Sequence, residues 1–117
     1  MYKKSKIYVA GHQGMVGSAC CRLLIDKGYT NLVIKSFSEL DLRNQLNVKK
    51  FLYKEKPDII INAAARVGGI LANKTYPYDF LMDNMLIQNN LIAIAHELDI
   101  NKFIFLGSSC IYPKLAP

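Results

Sequence analysis

The stretch from Lys6 to Gly17, K-I-Y-V-A-G-H-Q-G-M-V-G, decides the predicted fold of this chain. Its first part, Ile7 to Ala10, has the length and the β-prone, apolar composition of a fully buried strand. Three glycines spaced three residues apart follow directly, and an apolar helical pattern begins at Met15. A strand that runs through such a turn into a helix predicts a dinucleotide-binding site.

Each glycine of this turn has its own predicted role. Gly11 allows a tight turn, Gly14 lets backbone N–H groups approach a pyrophosphate, and Gly17 lets the helix pack closely on the strand. The phosphates would lie at the positive N-terminal end of the helix. The alternative is a glycine-rich turn that binds no ligand.

The rest of the chain alternates predicted strands and helices. With 117 residues, 51% of them apolar, it can bury one modest core, so we expect a single domain at most. Such alternation requires parallel pairing, which predicts an α/β fold with a Rossmann-type, doubly wound parallel sheet that is incomplete. The predicted strands are Ile7–Ala10, Leu32–Ser36, Ile59–Ala63 and Lys102–Leu106, and the predicted helices are Met15–Lys27, a second that Asp41 and Leu42 open, and Asp79–Leu98.

Apolar spacing predicts which helix faces are buried. The third helix is apolar on two sides, so it lies deep in the core or packs against another subunit, which makes a homodimer through Asp79–Leu98 an open alternative. Asp41 is a good N-cap for the second helix. The predicted buried residues are Met15, Val16, Ala19, Cys20, Leu23 and Leu24 in the first helix, and Val48, Phe51 and Leu52 in the second. Predicted surface positions in the third are Asn84, Gln88, Asn89 and Asn90.

Composition excludes several classes of function. The net charge of +6 comes from scattered lysines without interleaved arginine and aromatic residues, so we do not expect nucleic-acid binding. No apolar run is long enough for a membrane span, and Met1 to Lys6 does not resemble a signal peptide. The three cysteines form neither a disulfide framework nor a C-x-x-C pair, which favours a reducing, cytoplasmic compartment. No metal site is predicted.

The residues that follow the strands supply the remaining site candidates. Lys35 follows the second strand, where a basic residue favours a cofactor with a 2′-phosphate, although it could simply be exposed at a strand end. The small residues Ala63–Gly69 would let a cofactor lie close to the third strand. Gly107–Pro113 follows the fourth strand and reaches the same edge. Its Ser108, Ser109 and Cys110 could equally be turn-forming hydroxyls and a buried thiol.

Three strings of residues resemble the N-terminal part of the extended short-chain dehydrogenase/reductases, across nearly all 117 residues. They are G-H-Q-G-M-V-G-S-A from Gly11, A-A-A-R-V-G-G-I-L-A-N from Ala63, and F-L-G-S-S-C-I-Y-P-K-L-A from Phe105. The second and third are specific to members that act on a GDP-sugar. The resemblance implies epimerisation of GDP-4-keto-6-deoxy-D-mannose at two carbons and reduction at C4 with NADPH.

The resemblance also implies a role for individual residues. Ser108 would hydrogen-bond the sugar carbonyl that accepts hydride, and Cys110 would be an acid/base of the epimerisation. The Gly11–Gly17 turn would hold the pyrophosphate, the segment Phe37–Leu42 would line the adenosine end, and Leu106–Ser109 would pass beside the nicotinamide. The implied cofactor-binding residues are Gly11, His12, Gln13, Gly14, Met15, Val16, Gly17, Phe37, Ser38, Glu39, Leu40, Asp41, Leu42, Leu106, Gly107, Ser108 and Ser109.

The chain departs from the family pattern in three ways. Gln13 and Phe37 stand where arginines usually grip the 2′-phosphate, so NADP is implied, NAD stays open, and Lys35 is left as the only nearby cation. Arg66 replaces a common lysine. The catalytic Tyr-x-x-x-Lys is missing, because the one literal match, Tyr2–Lys6, precedes the first strand.

We therefore expect the NADP-binding part of such an enzyme, truncated before its substrate domain and inactive alone, with one sheet face bare and prone to association. The alternatives are a non-catalytic binding or interaction module, or another nucleotide-sugar epimerase or dehydratase.

Overall fold

A computed structural model gives the fold of residues 3–64 and 77–106, which are the residues that the structure describes. This part of the chain contains four strands and three helices in alternating order. The strands are β1 (Ile7–Ala10), β2 (Leu32–Val33), β3 (Ile59–Asn62) and β4 (Lys102–Phe105), and the helices are α1 (Met15–Asp26), α2 (Gln45–Glu55) and α3 (Pro77–Glu97).

The four strands form one sheet in the order β2-β1-β3-β4, and every neighbouring pair is parallel. β1 is central, with Ile7 opposite Leu32 of β2 and opposite Ile59 of β3. The predicted partial Rossmann-like α/β fold is confirmed. Because β1 pairs on both sides, its backbone N–H and C=O groups find partners within the sheet, which is what a fully buried strand needs.

The sheet separates two apolar clusters, one on each face. Alternate residues of a strand point to opposite faces, so Tyr8 and Ile60 pack with α2 and α3, whereas Val9 and Ile61 pack on the side of α1. The four residues of β1 are at most 1% exposed. This two-sided burial explains why β1 and β3 are continuously apolar rather than alternating, and it confirms that the sheet is doubly wound.

The predicted buried face of α1 was largely wrong. Only Gly17 and Leu24 are buried in this helix, whereas Met15 is 88% exposed and Leu23 is 56% exposed. Val16 and Ala19 are also exposed, and Cys20 is half-buried. The side of α1 that approaches the turn is the side that carries Gly17. This close contact depends on the absence of a side chain, so a pattern of apolar residues cannot reveal it.

The prediction that Asp41 caps α2 was also wrong. The helix begins at Gln45, and Asn44 is its N-cap, with Oδ1 accepting a hydrogen bond from Asn47 N at 3.1 Å. Asp41 Oδ1 instead accepts from Arg43 N at 3.0 Å. This local bond offers the backbone an alternative to the helix, so α2 starts one turn later. The predicted face of α2 is confirmed, since Val48 and Leu52 are buried and Phe51 is half-buried.

The second strand is shorter than predicted, because Ser36 is committed to a turn. Its N–H donates to Glu39 Oε1 at 3.0 Å. Its carbonyl accepts from the N–H groups of Glu39 and Leu40. With these groups engaged, Ser36 cannot extend the ladder as predicted, and the observed strand spans Leu32–Val33.

Helix α3 has two apolar faces, as the sequence predicts. One face, which includes Leu91 and Ile94, is buried against the sheet, while the other, which includes Leu81 and Met85, is exposed. The prediction that Asn90 is a surface position was wrong. Asn90 is buried, and its side-chain amide donates to Leu42 O at 2.9 Å. This bond ties α3 to the segment that precedes α2.

Candidate functional site

The candidate site lies where the carboxyl ends of β1 and β3 meet. The chain leaves β1 through α1 towards β2, and it leaves β3 towards β4 on the opposite side of the sheet. The crevice between two such strands is where open parallel sheets bind ligands. Ala63 N donates to Ala10 O at 2.9 Å, which holds the two strand ends together at this edge.

Two glycines of the turn are required by the protein's own packing. Gly11 has φ +78°, and a Cβ there would lie 2.7 Å from the backbone of Ala63 and Ala64. A Cβ on Gly17 would overlap the carbonyl oxygen of Gly11 and lie 2.7 Å from its carbonyl carbon. Both contacts involve backbone atoms, so no side-chain rotation can relieve them. The turn and the start of α1 are thus closely fitted to each other and to β3.

Gly14 differs, because no other part of residues 3–64 and 77–106 crowds the space beside it. An added Cβ would meet only Gly11 O, at the ordinary contact distance of 3.5 Å. Gly14 is the N-cap of α1 with φ −76° and ψ 169°, and no side chain among the described residues caps the helix. The first N–H groups of a helix have no intrahelical acceptor. The start of α1 therefore presents bare N–H groups and a positive dipole end, which suits an anionic group such as a phosphate.

A cleft of about 420 Å³ opens beside this helix start. It runs from the glycine turn and the end of β3 past the segment between β2 and α2 to the side of α3, so four parts of the chain form its walls. Such a cleft, bounded by a glycine turn and apolar side chains, can hold an elongated nucleotide ligand. Its lining residues are Gly11, His12, Gln13, Gly14, Lys35, Phe37, Leu40, Asp41, Leu42, Arg43, Ala63, Ala64, Asp83 and Ile87.

The structure brings together eight of the residues that the resemblance implies and leaves others apart. Gly11–Gly14, Phe37 and Leu40–Leu42 line the cleft. Met15, Val16 and Gly17 form the first turn of α1 beside it. Leu106 lies elsewhere, packed in the cluster on the α1 side of the sheet, with its N–H donating to Asn62 O at 3.2 Å. Gly107, Ser108, Ser109 and Cys110 lie outside the described residues, so their roles stay predictions.

Ser38 and Glu39 are absent from the lining because they belong to a closed turn. Glu39 Oε1 accepts from both the N–H and the hydroxyl of Ser36 at 3.0 Å, and these bonds lower the pKa of the Glu39 carboxyl. Ser38 Oγ lies 3.0 Å from Ser36 Oγ. Lys35 Nζ is 3.9 Å from Glu39 Oε2, a loose ion pair that leaves the ammonium at the wall of the cleft.

Sequence reasoning missed Arg43, and the expectation that Lys35 is the only nearby cation was wrong. Arg43 lines the cleft, and its guanidinium makes a two-bond fork with Asp41, from Nε to Oδ1 at 3.0 Å and from Nη2 to Oδ2 at 2.8 Å. Its Nη1 reaches Asp83 Oδ2 of α3 at 3.4 Å. The fork lowers the pKa of Asp41 and raises that of Arg43. The spacing Asp41-x-Arg43 is a local pattern that could have indicated the ion pair with Asp41. The contact with Asp83 joins residues forty positions apart, so no local pattern indicates it.

Two buried side-chain nitrogens at this edge lack a hydrogen-bond partner within residues 3–64 and 77–106: His12 Nδ1 and Asn62 Nδ2. Asn62 is 2% exposed, and its Oδ1 accepts from Ala64 N at 3.0 Å, which fixes the orientation of its amide. His12 itself lines the cleft. Buried polar atoms normally have partners, so an unpaired imidazole nitrogen in the wall fits a site whose ligand is polar.

Metal binding and membrane insertion have no structural counterpart in the described ranges. No group of three or more His, Cys, Asp or Glu side chains there could hold a metal ion. Likewise, no helix within these ranges is long and apolar enough to cross a membrane.

The fold and this site define a partial dinucleotide-binding fold of the Rossmann type. The model of the NAD dependent epimerase/dehydratase family matches residues 7–117, and the chain belongs to that family. The resemblance to the extended short-chain dehydrogenase/reductases that the sequence shows is thereby confirmed.

Within the family the chain is similar to GDP-L-fucose synthases. It is 56% identical over 115 residues to GDP-L-fucose synthase 1 of Arabidopsis thaliana, covering 98% of this chain and 36% of that protein. It is 51% identical over 113 residues to GDP-L-fucose synthase of Escherichia coli K12, covering 97% and 35%. The chain thus spans about a third of the length of these curated relatives.

A solved structure of a GDP-mannoheptose C4 reductase, MlghC of Campylobacter jejuni with NADP bound, shares the fold of the chain. It superposes with a TM-score of 0.93 at 41% identity, covering 100% of this chain and 34% of that protein. The match therefore again involves about a third of a longer reductase.

Proposed function

We propose that this chain is the NADP(H)-binding portion of a GDP-L-fucose synthase-like enzyme, which epimerises and reduces GDP-4-keto-6-deoxy-D-mannose. The observation that carries the proposal is the unfilled space at Gly14, in front of the bare N–H groups of α1. The relatives support the GDP-sugar substrate by their names, and MlghC supports NADP. We place the protein in the cytoplasm, where the free thiols of Cys20 and Cys21 stay reduced.

The chain's residues would divide the binding task by position. The backbone from Gly14 to Gly17 would hold the pyrophosphate, and Lys35 would meet the 2′-phosphate, because its pairing with Glu39 is loose. The cofactor supplies the hydride. Ser108 would polarise the sugar carbonyl, and Cys110 would exchange a proton beside it.

Titration of the chain with NADPH and with NADH, followed by nucleotide fluorescence, tests this proposal. We expect a saturable signal for NADPH and a rise in melting temperature that grows with nucleotide concentration, as binding to the folded state requires. NADH serves as the comparison for the 2′-phosphate. The absence of saturation with either nucleotide would contradict the binding function.

We further propose that the outer face of α3 mediates self-association as a homodimer. With 3.6 residues per turn, its exposed apolar residues share one side of the helix, opposite the side that packs on the sheet. A contiguous apolar stripe of this kind commonly marks an interaction surface. The stripe consists of Tyr78, Leu81, Met82, Met85, Leu86 and Ile92, which are 36–70% exposed.

Introduction of charge into this stripe should separate the dimer. We expect the double variant Leu81→Glu/Met85→Glu to raise the dimer dissociation constant at least tenfold, because each buried apolar side chain contributes about 1.5–3 kcal/mol. Sedimentation over a range of concentrations measures it. Leu46→Glu is the matched control, since Leu46 is 61% exposed on α2 and Leu81 is 59% exposed on α3. A wild-type chain that stays monomeric, or equal effects of the two substitutions, would contradict this interface.

A further inference from the structure

Arg43 occupies an unusual position for a cationic side chain in the wall of a nucleotide cleft, because carboxylates already engage all three of its guanidinium nitrogens. Nε and Nη2 bond to Asp41 at 3.0 and 2.8 Å, and Nη1 contacts Asp83 at 3.4 Å. These bonds lie along the edges of the guanidinium plane. Three of the five N–H groups are therefore engaged and the charge faces two carboxylates, so the group has less capacity to pair with a further anion than a free guanidinium has.

The faces of the guanidinium plane have different surroundings from its edges. One face lies over the ring of Phe37, with Cζ 5.4 Å from the ring centroid, within the range of a cation–π contact. The Arg43 side chain remains 38% exposed, and both residues line the cleft. With three N–H groups bonded and one face over Phe37, a flat ligand group in the cleft would meet the second face of the plane.

The two carboxylates also fix the orientation of this plane. Asp41 belongs to the segment before α2, whereas Asp83 belongs to α3, so the guanidinium is held from two separate elements. The short loop between Asp41 and the N-cap Asn44 is itself closed by a bond from Asn44 N to Asp41 O at 3.0 Å. A planar group that is held before its ligand arrives loses little rotamer entropy on stacking.

We propose that Arg43 is the stacking platform for the adenine base of the cofactor, with Phe37, guanidinium and adenine layered in that order. This inference deepens the proposed function and rests on it. Planar guanidinium groups stack on nucleobases, and base stacking tolerates any partner with an open π-face. Recognition of the 2′-phosphate then falls to other groups of the site, and Arg43 binds the part that NADPH and NADH share.

A pair of substitutions at this position separates stacking from charge. Arg43→Lys keeps the positive charge but removes the plane, and Arg43→Tyr keeps a plane but removes the charge. We expect Arg43→Lys to weaken the binding of NADPH and NADH about tenfold and to an equal degree. Arg43→Tyr should bind both nucleotides more tightly than Arg43→Lys does. Dissociation constants from nucleotide fluorescence provide the measurement.

Reduced nicotinamide mononucleotide, which lacks adenine, is the internal control. Its affinity should be the same for wild type and for both variants. An unfolded fraction would lower the apparent affinities for NADH and for the mononucleotide alike, so the ratio of the two does not depend on it. A loss of affinity confined to NADPH would overturn the inference, because it indicates a phosphate contact. The inference is also wrong if Arg43→Lys binds the dinucleotides as well as wild type does, or more tightly than Arg43→Tyr does. If wild type binds no dinucleotide at all, the proposed function itself fails and this inference falls with it.

Discussion

Substitution of Gly17 by alanine is expected to destabilise the fold by roughly 3 kcal/mol or more, a large part of the stability of a small domain. The added Cβ would overlap the carbonyl oxygen of Gly11 and would lie 3.0 Å from His12 Cα. Gly11 cannot retreat, because its own position is fixed against the backbone of Ala63 and Ala64. Helix α1 would therefore have to move away from the turn, and its packing through Leu24 would be lost.

Urea denaturation of wild type and the Gly17→Ala variant measures this effect. Gly14→Ala is the matched control, since it makes the same change in the same turn, where the Cβ meets only Gly11 O at 3.5 Å. It should cost no more than about 1 kcal/mol, which reflects the preference for glycine over alanine at an N-cap. Similar midpoints for the two variants would show that α1 does not approach the turn as closely as described.

The glycine turn is the part of the site that sequence reasoning predicted best, and the reason is physical. Backbone requirements such as the positive φ of Gly11 leave a local mark in the sequence, because few residues other than glycine adopt that conformation. The bounds of β1 and the start of α1 at Met15 follow from the same local pattern. Burial on both sides of the sheet explains the continuous apolar runs that predicted a parallel α/β fold.

What the sequence did not reveal depends on contacts between distant residues. Asp41 has the chemistry of a helix cap, yet its carboxylate is taken by Arg43, whose orientation in turn involves Asp83 forty positions later. Asn90 has the polarity of a surface residue, yet Leu42 O provides a buried acceptor for its amide. Periodicity reports how polar a side chain is but not which partner the fold brings to it, so these assignments needed the structure.

The exposed apolar side chains of α1 also show that the polarity and spacing of residues do not determine their burial. Met15, Val16 and Leu23 are 53–88% exposed, although their type and spacing predict a buried face. In the described part of the chain, α1 packs on the sheet through the buried Leu24 and the half-buried Cys21, and its Gly17 lies against the turn that follows β1. A helical pattern of apolar residues predicts an apolar face, but it does not show whether the described strands and helices cover that face.

Replacement of Gly14 by valine is expected to abolish most nucleotide binding while leaving the fold almost unchanged. The backbone at Gly14, with φ −76° and ψ 169°, is extended, a conformation that valine adopts readily. Gly14 lines the cleft, and within the described part of the chain the only atom near the position of its Cβ is Gly11 O. The valine methyl groups would therefore occupy the space through which a phosphate reaches the bare N–H groups of α1.

We expect Gly14→Val to weaken NADPH binding at least about a hundredfold, because charge-assisted bonds from the helix start to the diphosphate are among the strongest polar contacts available. Fluorescence titration measures the affinity, and the melting temperature without nucleotide should fall by only a few degrees. Ala19→Val, which adds similar bulk at an exposed position of the same helix, should bind NADPH as wild type does. If Gly14→Val also binds like wild type, the diphosphate does not lie at the start of α1, and the assignment of the cleft to a dinucleotide is wrong even though the fold stands.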